Sequence, residues 1–174
     1  MVICSVLLAG ATHAQLSTRN KKAIEYYQQA DNYRVRQQYV QAIALLEQAI
    51  AKDKDFAEAY FRLGLVYKSL REFEKANLHF EKGLSLTKDQ RQQKGYFFEL
   101  ADNYLRQGLY QKALVNANHF LELEKVKKAS VAQVMLWKRN AEYGLEHTNP
   151  STSFQPRQLD PTVNAFAMQY FPVL

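Results

Sequence analysis

Thiol chemistry is almost missing from this sequence: Cys4 is the only cysteine among 174 residues, so no disulfide framework can hold the chain and its stability has to come from packing. Proline is missing from the first 149 residues, and all four prolines, Pro150, Pro156, Pro161 and Pro172, fall in the last 25. The long proline-free part is therefore open to helix, and the end of the chain is not. There is no G-x-G-x-x-G, P-loop, G-x-S-x-G or H-E-x-x-H. The histidines, His13, His79, His119 and His147, have no second ligand at helical spacing and no neighbouring nucleophile or base. Carboxylates such as Glu47, Glu58 and Glu81 are spread as on solvated helix faces. The expectation is a chain with no catalytic residues, no metal and no cofactor.

Long apolar runs are also scarce. The only one, residues 1–14, is shorter than the ~20 residues needed to cross a bilayer, so no spanning segment is expected in the mature chain. With Val6-Leu7-Leu8-Ala9 followed by Ala11-Thr12-His13-Ala14, it resembles a secretory signal peptide cut between Ala14 and Gln15. A short buried or membrane-associated helix is the other reading. No Lys or Arg precedes Arg19, which points to a start codon placed late. Cys4 precedes the apolar run, the wrong side for a lipoprotein anchor.

The composition is that of a globular chain, 47% hydrophobic and 23% charged, enough for one compact domain with some trailing sequence. The net charge of +6 gathers in short, dispersed clusters, Arg19-Lys21-Lys22, Lys125-Lys127-Lys128 and Lys138-Arg139, which read as solvated faces. No nucleic-acid partner is expected.

Internal repetition carries the rest. Tyr60, Leu63, Gly64 and Tyr67, followed by Ala76 and Phe80, match the pattern W-x2-L-G-x2-Y then A-x3-F with one aromatic exchanged for another. Thirty-four residues earlier stand Tyr26, Ala30, Tyr33, Ala42 and Leu46; thirty-seven later stand Phe97, Leu100, Ala101, Tyr104 and Ala113. The small residues Ala30, Gly64 and Ala101 are expected to meet Ala42, Ala76 and Ala113 where paired helices approach, with Tyr33, Tyr67 and Tyr104 filling the volume beside them. The predicted helix pairs are 23–36 with 39–52, 57–70 with 73–86, and 92–107 with 110–124, with Gly108 breaking the third pair. A seventh helix, 127–147, carries Val131, Val134, Met135 and Trp137 and is expected to cap the array. Residues 15–22 form a lead-in. Residues 148–174 are expected to be extended or irregular.

Residues 23–124 thus resemble the tetratricopeptide-repeat superfamily, in repeats of about 23–56, 57–90 and 94–127 within a domain of 23–147. The resemblance implies an all-α right-handed superhelix and a protein-interaction scaffold whose concave face takes a peptide or helix. The tail, through Asn149-Pro150, Leu159-Asp160-Pro161 and Tyr170-Phe171-Pro172, resembles the junction between such a domain and a β-propeller in OmpA-family envelope proteins, some of which serve gliding or secretion machinery. That similarity implies a periplasmic or outer-membrane-associated location in a Gram-negative cell and a truncated or split relative without the peptidoglycan-binding part.

On each first helix the fifth, ninth and twelfth positions share one face by helical spacing. They are Tyr27, Asp31 and Arg34, then Phe61, Leu65 and Lys68, then Phe98, Asp102 and Leu105. The ring column Tyr27, Phe61 and Phe98 suits an apolar peptide or helix, unless the rings pack on one another or beneath the tail, where Phe166, Tyr170 and Phe171 are candidates to occupy the groove. The Lys and Asn clamp that some relatives use for a carboxylate is absent, since Tyr27, Asp31, Arg62 and Glu99 hold its places. Asp31 and Asp102 are expected to repel an anion, favouring a basic or apolar ligand. The alternative is a structural spacer that self-associates as a homo-oligomer.

Overall fold

A computed structural model describes residues 16–126 and 128–147. Among these residues the chain is all helical. Seven helices follow one another: α1 (Lys21–Val35), α2 (Tyr39–Lys52), α3 (Ala57–Ser69), α4 (Phe73–Leu86), α5 (Gln90–Arg106), α6 (Tyr110–Leu123) and α7 (Ala129–His147). The expected export signal and the whole proline-containing tail lie outside the described residues. α1 packs on α2, α3 on α4 and α5 on α6; α2 against α3 and α4 against α5 join the pairs. α7 rests on both α6 and α5, the place of a first helix in a fourth pair.

The same turn closes each pair. Gln38 N donates to Tyr33 O, Glu72 N to Tyr67 O and Leu109 N to Tyr104 O, each at 2.9 Å, and the residue before each donor has positive φ: Gln37 at 59°, Arg71 at 61° and Gly108 at 70°. This is the six-to-one bond of a Schellman motif. The repeated tyrosines therefore do two jobs, supplying the carbonyl that stops the helix and a ring at the pair contact. Their rings are not equally enclosed: Tyr104 is buried, whereas Tyr33 and Tyr67 are half-buried.

The small residues are all buried as expected, but the third pair differs in detail. Ala30 and Ala42 share one core cluster, whereas Ala101 groups with Ala117, Phe120 and Val134, and Ala113 groups with Tyr104 and Ala141. In this pair Phe120, one turn further along α6, supplies the bulk beside Ala101.

The lead-in is built into the fold. Asn20 caps α1 by accepting from Lys22 N at 3.0 Å and Ala23 N at 3.2 Å, and its amide donates to Lys52 O at 3.0 Å. Thr18 is buried and its hydroxyl donates to Asp53 Oδ2. Ser17 N meets both Glu58 carboxylate oxygens at 3.1 Å, while its Oγ donates to Oε2 at 2.6 Å and accepts from Ala57 N at 3.0 Å. Residues 16–20 thereby strap the α2–α3 corner, where Phe56 is fully buried.

Candidate functional site

A cleft of about 320 Å³ opens among the first helices, lined by Tyr27 from α1, Glu58, Phe61 and Arg62 from α3, and Arg91, Gln92, Gly95 and Tyr96 from α5. Its apolar wall is a set of interlocked rings. Phe61 stands edge-on to Tyr96 at 4.9 Å and tilted to Phe80 at 5.5 Å, and Tyr27 packs on Phe56 at 5.0 Å. Tyr96 is buried and its hydroxyl donates to Ala57 O at 2.8 Å; burial pushes this phenol well above the ordinary tyrosine range. Gly95 leaves the floor open, since a β-carbon there would stand 3.5 Å from the Phe61 ring, ordinary contact distance.

The polar rim is held from both sides. Arg62 Nε donates to the Tyr27 hydroxyl at 3.1 Å and lies 3.5 Å from Asp31 Oδ1. Glu58 accepts from Gln92 Nε2 at 3.1 Å in addition to its three contacts from Ser17. Arg91 is exposed and, among the described residues, makes no ion pair or hydrogen bond through its guanidinium.

The nine residues of the expected groove do not form one continuous surface. Tyr27 and Phe61 line the cleft, with Asp31 and Arg34, paired at 2.8 Å, beside it. Lys68 bridges Glu99 at 2.5 Å and Asp102 at 2.7 Å, and Arg106 adds a second cation to Asp102 at 2.9 Å. Leu65 and Leu105 are half-buried against the core cluster around Phe80 and Tyr104. Phe98 is outside the cleft lining, packed between Phe120 at 5.5 Å and Trp137 at 4.8 Å. Asp31 and Asp102, the carboxylates expected to repel an anion, are each met by two cations, Asp31 by Arg34 and Arg62 and Asp102 by Lys68 and Arg106.

Titrations are displaced elsewhere too, among them those of Glu124 and His79. Lys94 at 2.8 Å and Lys128 at 3.3 Å hold the Glu124 carboxyl down to about 2. His79, half-buried and stacked on Tyr67 at 5.3 Å, is pushed below the ordinary histidine range by burial. Among the described residues no three His, Cys, Asp or Glu side chains converge as a metal site, and no helix is long and apolar enough to cross a membrane.

Residues 30–70 match the family profile described as TPR repeat, and residues 57–90 match that of the tetratricopeptide repeat. No curated protein sequence matches the chain. Among solved structures, the first TPR of Spaghetti (RPAP3) bound to the HSP90 peptide SRMEEVD is similar at 16% identity, a TM-score of 0.63, and coverage of 73% of this chain and 95% of that one. MamA is similar at 29% identity and a TM-score of 0.57, over 61% of this chain and 60% of that one. The Yersinia enterocolitica type III secretion chaperone SycD, in complex with a peptide of the translocator YopD, is similar at 16% identity and a TM-score of 0.58, over 72% of this chain and 94% of that one. Helix order, turns and the similar structures agree on a TPR-like superhelical fold, and the family profiles place tetratricopeptide repeats within residues 30–90.

Proposed function

We propose that this chain of tetratricopeptide repeats is a non-enzymatic protein-interaction scaffold that takes a partner peptide or helix into the cleft between α1, α3 and α5. The observation that carries the reading is the cleft itself. Rings of Tyr27, Phe61 and Tyr96 form a rigid apolar wall, and hydrogen-bonding groups stand at its rim. With Asp31 and Asp102 compensated and Arg91 unpaired among the described residues, an apolar side chain flanked by an acidic or acceptor group fits the rim better than a basic one. Peptides held by the similar Spaghetti and SycD structures support the reading and name no partner for this chain.

Selection of displayed random peptides on the full chain tests it. Peptides recovered on the wild type should be lost on Gly95→Leu, which fills the cleft from its floor while adding a better helix former. Peptides that bind both proteins equally would place recognition elsewhere.

Export to the periplasm or outer membrane of a Gram-negative cell belongs to the same proposal and rests on the leader-like residues 1–14. N-terminal sequencing of the protein from fractionated cells should begin at Gln15. A chain retaining Met1 in the cytoplasm would remove this part and leave the cleft untouched.

A further inference from the structure

The second helices α4 and α6 are separated by a groove that shares no residue with the first-helix cleft. It consists of two adjoining hollows of about 310 Å³ and 250 Å³, which have Glu81, Tyr104 and Lys112 in common and together follow α4 from Glu74 to Leu84. The first hollow is largely apolar, with Leu84, Leu100 and Val115 in its walls. The second is more polar and contains Asn77.

The polar end holds groups that the packing of the repeats does not require. Asn77 is 6% exposed, and its Oδ1 has no hydrogen-bond partner among the described residues; Asn103, fully buried on α5, has none for either amide atom. The preceding junction fills the same two places with Ile43 and Val66. By contrast, the other polar members recur, since Glu47, Tyr67 and Lys75 stand in the register of Glu81, Tyr104 and Lys112. The asparagines are therefore particular to this groove, and a local rule broken without a packing gain is expected at a functional site.

The unengaged groups are mainly acceptors. Glu81 is exposed, accepts from the neutral Tyr104 hydroxyl and makes no ion pair among the described residues; exposed Glu74 makes none either. The lining holds one cation against these two carboxylates, Lys112, set 5.1 Å over the Tyr104 ring. Rotation about χ2 of an asparagine is broad, so the Asn77 carbonyl can turn to a donor in the groove. Glu74, Asn77 and Glu81 share one face of α4 at i, i+3 and i+7, which strings acceptors along two turns. Such a row suits the five-donor fork of a guanidinium better than the point charge of an ammonium. From Asn77 to the apolar hollow at Leu84 the helix rises ~10 Å, the span of about three extended residues.

We propose that the α4–α6 groove is a second binding site, for an extended segment of a protein partner. The segment places an arginine against Asn77 and Glu81 and, about three residues away, an apolar side chain against Leu84, Leu100 and Val115. Two side-chain contacts give an isolated peptide an affinity on the order of millimolar, so the groove adds to the hold on a larger partner rather than gripping a free peptide.

The test is an NMR titration of the isotopically labelled full chain with capped peptides that hold one arginine and one leucine two, three or four residues apart. At least one spacing should give saturable shifts at the Asn77 side-chain amide and the Val115 methyls. Replacing arginine by citrulline, its neutral isostere, should weaken that binding about tenfold or more, as for loss of a charge-assisted hydrogen bond. Asn77→Ile, which installs the residue of the preceding repeat, and Glu81→Gln, which keeps an acceptor for Tyr104, should each weaken it similarly, while Gly95→Leu leaves it unchanged. No saturable shift at any spacing, equal binding of the citrulline peptide, or binding that survives either substitution would overturn the proposal. So would shifts on Tyr27, Phe61 and Tyr96 instead, which would assign these peptides to the first-helix cleft.

Discussion

The ring of Phe80 lies so close to Gly64 that a β-carbon on Gly64 would come within 2.5 Å of Phe80 Cε1. Across the array this contact trades size between partners. Gly64 faces Phe80, Ala30 and Leu46 hold the same places in the first repeat, and Ala101 and Ala117 in the third. Gly64→Ala should therefore destabilise by about 1–3 kcal/mol despite the better helix propensity of alanine, because a filled core is overpacked. Combining it with Phe80→Leu, the pair found one repeat earlier, should cost less than the sum of the two single changes. Urea unfolding of the four proteins measures the coupling; simple additivity would mean the two positions do not share a contact.

The helix-stopping turns give a second prediction. Arg71 adopts φ 61° where the third repeat places Gly108, so Arg71→Gly should stabilise the chain by about 1 kcal/mol by removing left-handed strain from a side chain. A lower unfolding midpoint would show that the Arg71 side chain has a compensating role.

Asn77 and Asn103 stand in the repeat register where Ile43 and Val66 pack in the preceding junction. Both asparagines are buried, and Asn77 Oδ1 and the whole Asn103 amide have no hydrogen-bond partner among the described residues. Replacing them together, Asn77→Ile with Asn103→Val, should raise stability by about 1–3 kcal/mol, the cost of leaving such groups unsatisfied. Calorimetry of the double variant decides it; a loss of stability would mean that the amides are satisfied in solution.

His79 gives a pH dependence with a definite sign. Burial lowers its folded pKa below the ordinary value of 6.5, so the unfolded chain binds the proton more readily. Its contribution to stability is whole above about pH 6.5 and is lost as pH falls through the lowered folded value. His79→Asn, the residue at the equivalent place in the third repeat (Asn116), should flatten the pH dependence of the unfolding midpoint below about 6.5 while costing some stability at pH 8 through the lost stack on Tyr67. An unchanged slope would assign the acid sensitivity to other groups.

The repeat columns made the helices legible, because Ala and Gly at the pair contact and aromatics beside it recur at fixed spacing; every expected pair is present with ends shifted by a few residues. The turns after Val35 and Ser69 carried no such signal, since Gln37 and Arg71 take the conformation that glycine marks only at Gly108. The candidate site was legible by half. Tyr27 and Phe61 follow from helical spacing, but Phe98 is claimed by Trp137, a contact across α5 and α7 that no local pattern encodes. Tyr96 escaped because the corresponding places hold Ala59 and Glu25, so no repeat column marks it. The strap from Leu16 to Asn20 depends on side chains reaching Asp53 and Glu58, long in sequence separation and invisible to periodicity.

The most direct test of the scaffold reading is an NMR titration of the isotopically labelled full chain with a peptide selected on it. The account predicts saturable shifts concentrated on Tyr27, Phe61, Arg62, Gly95 and Tyr96, abolished by Gly95→Leu. Shifts concentrated instead on α2, α4 and α6, or shifts that survive Gly95→Leu, would contradict it.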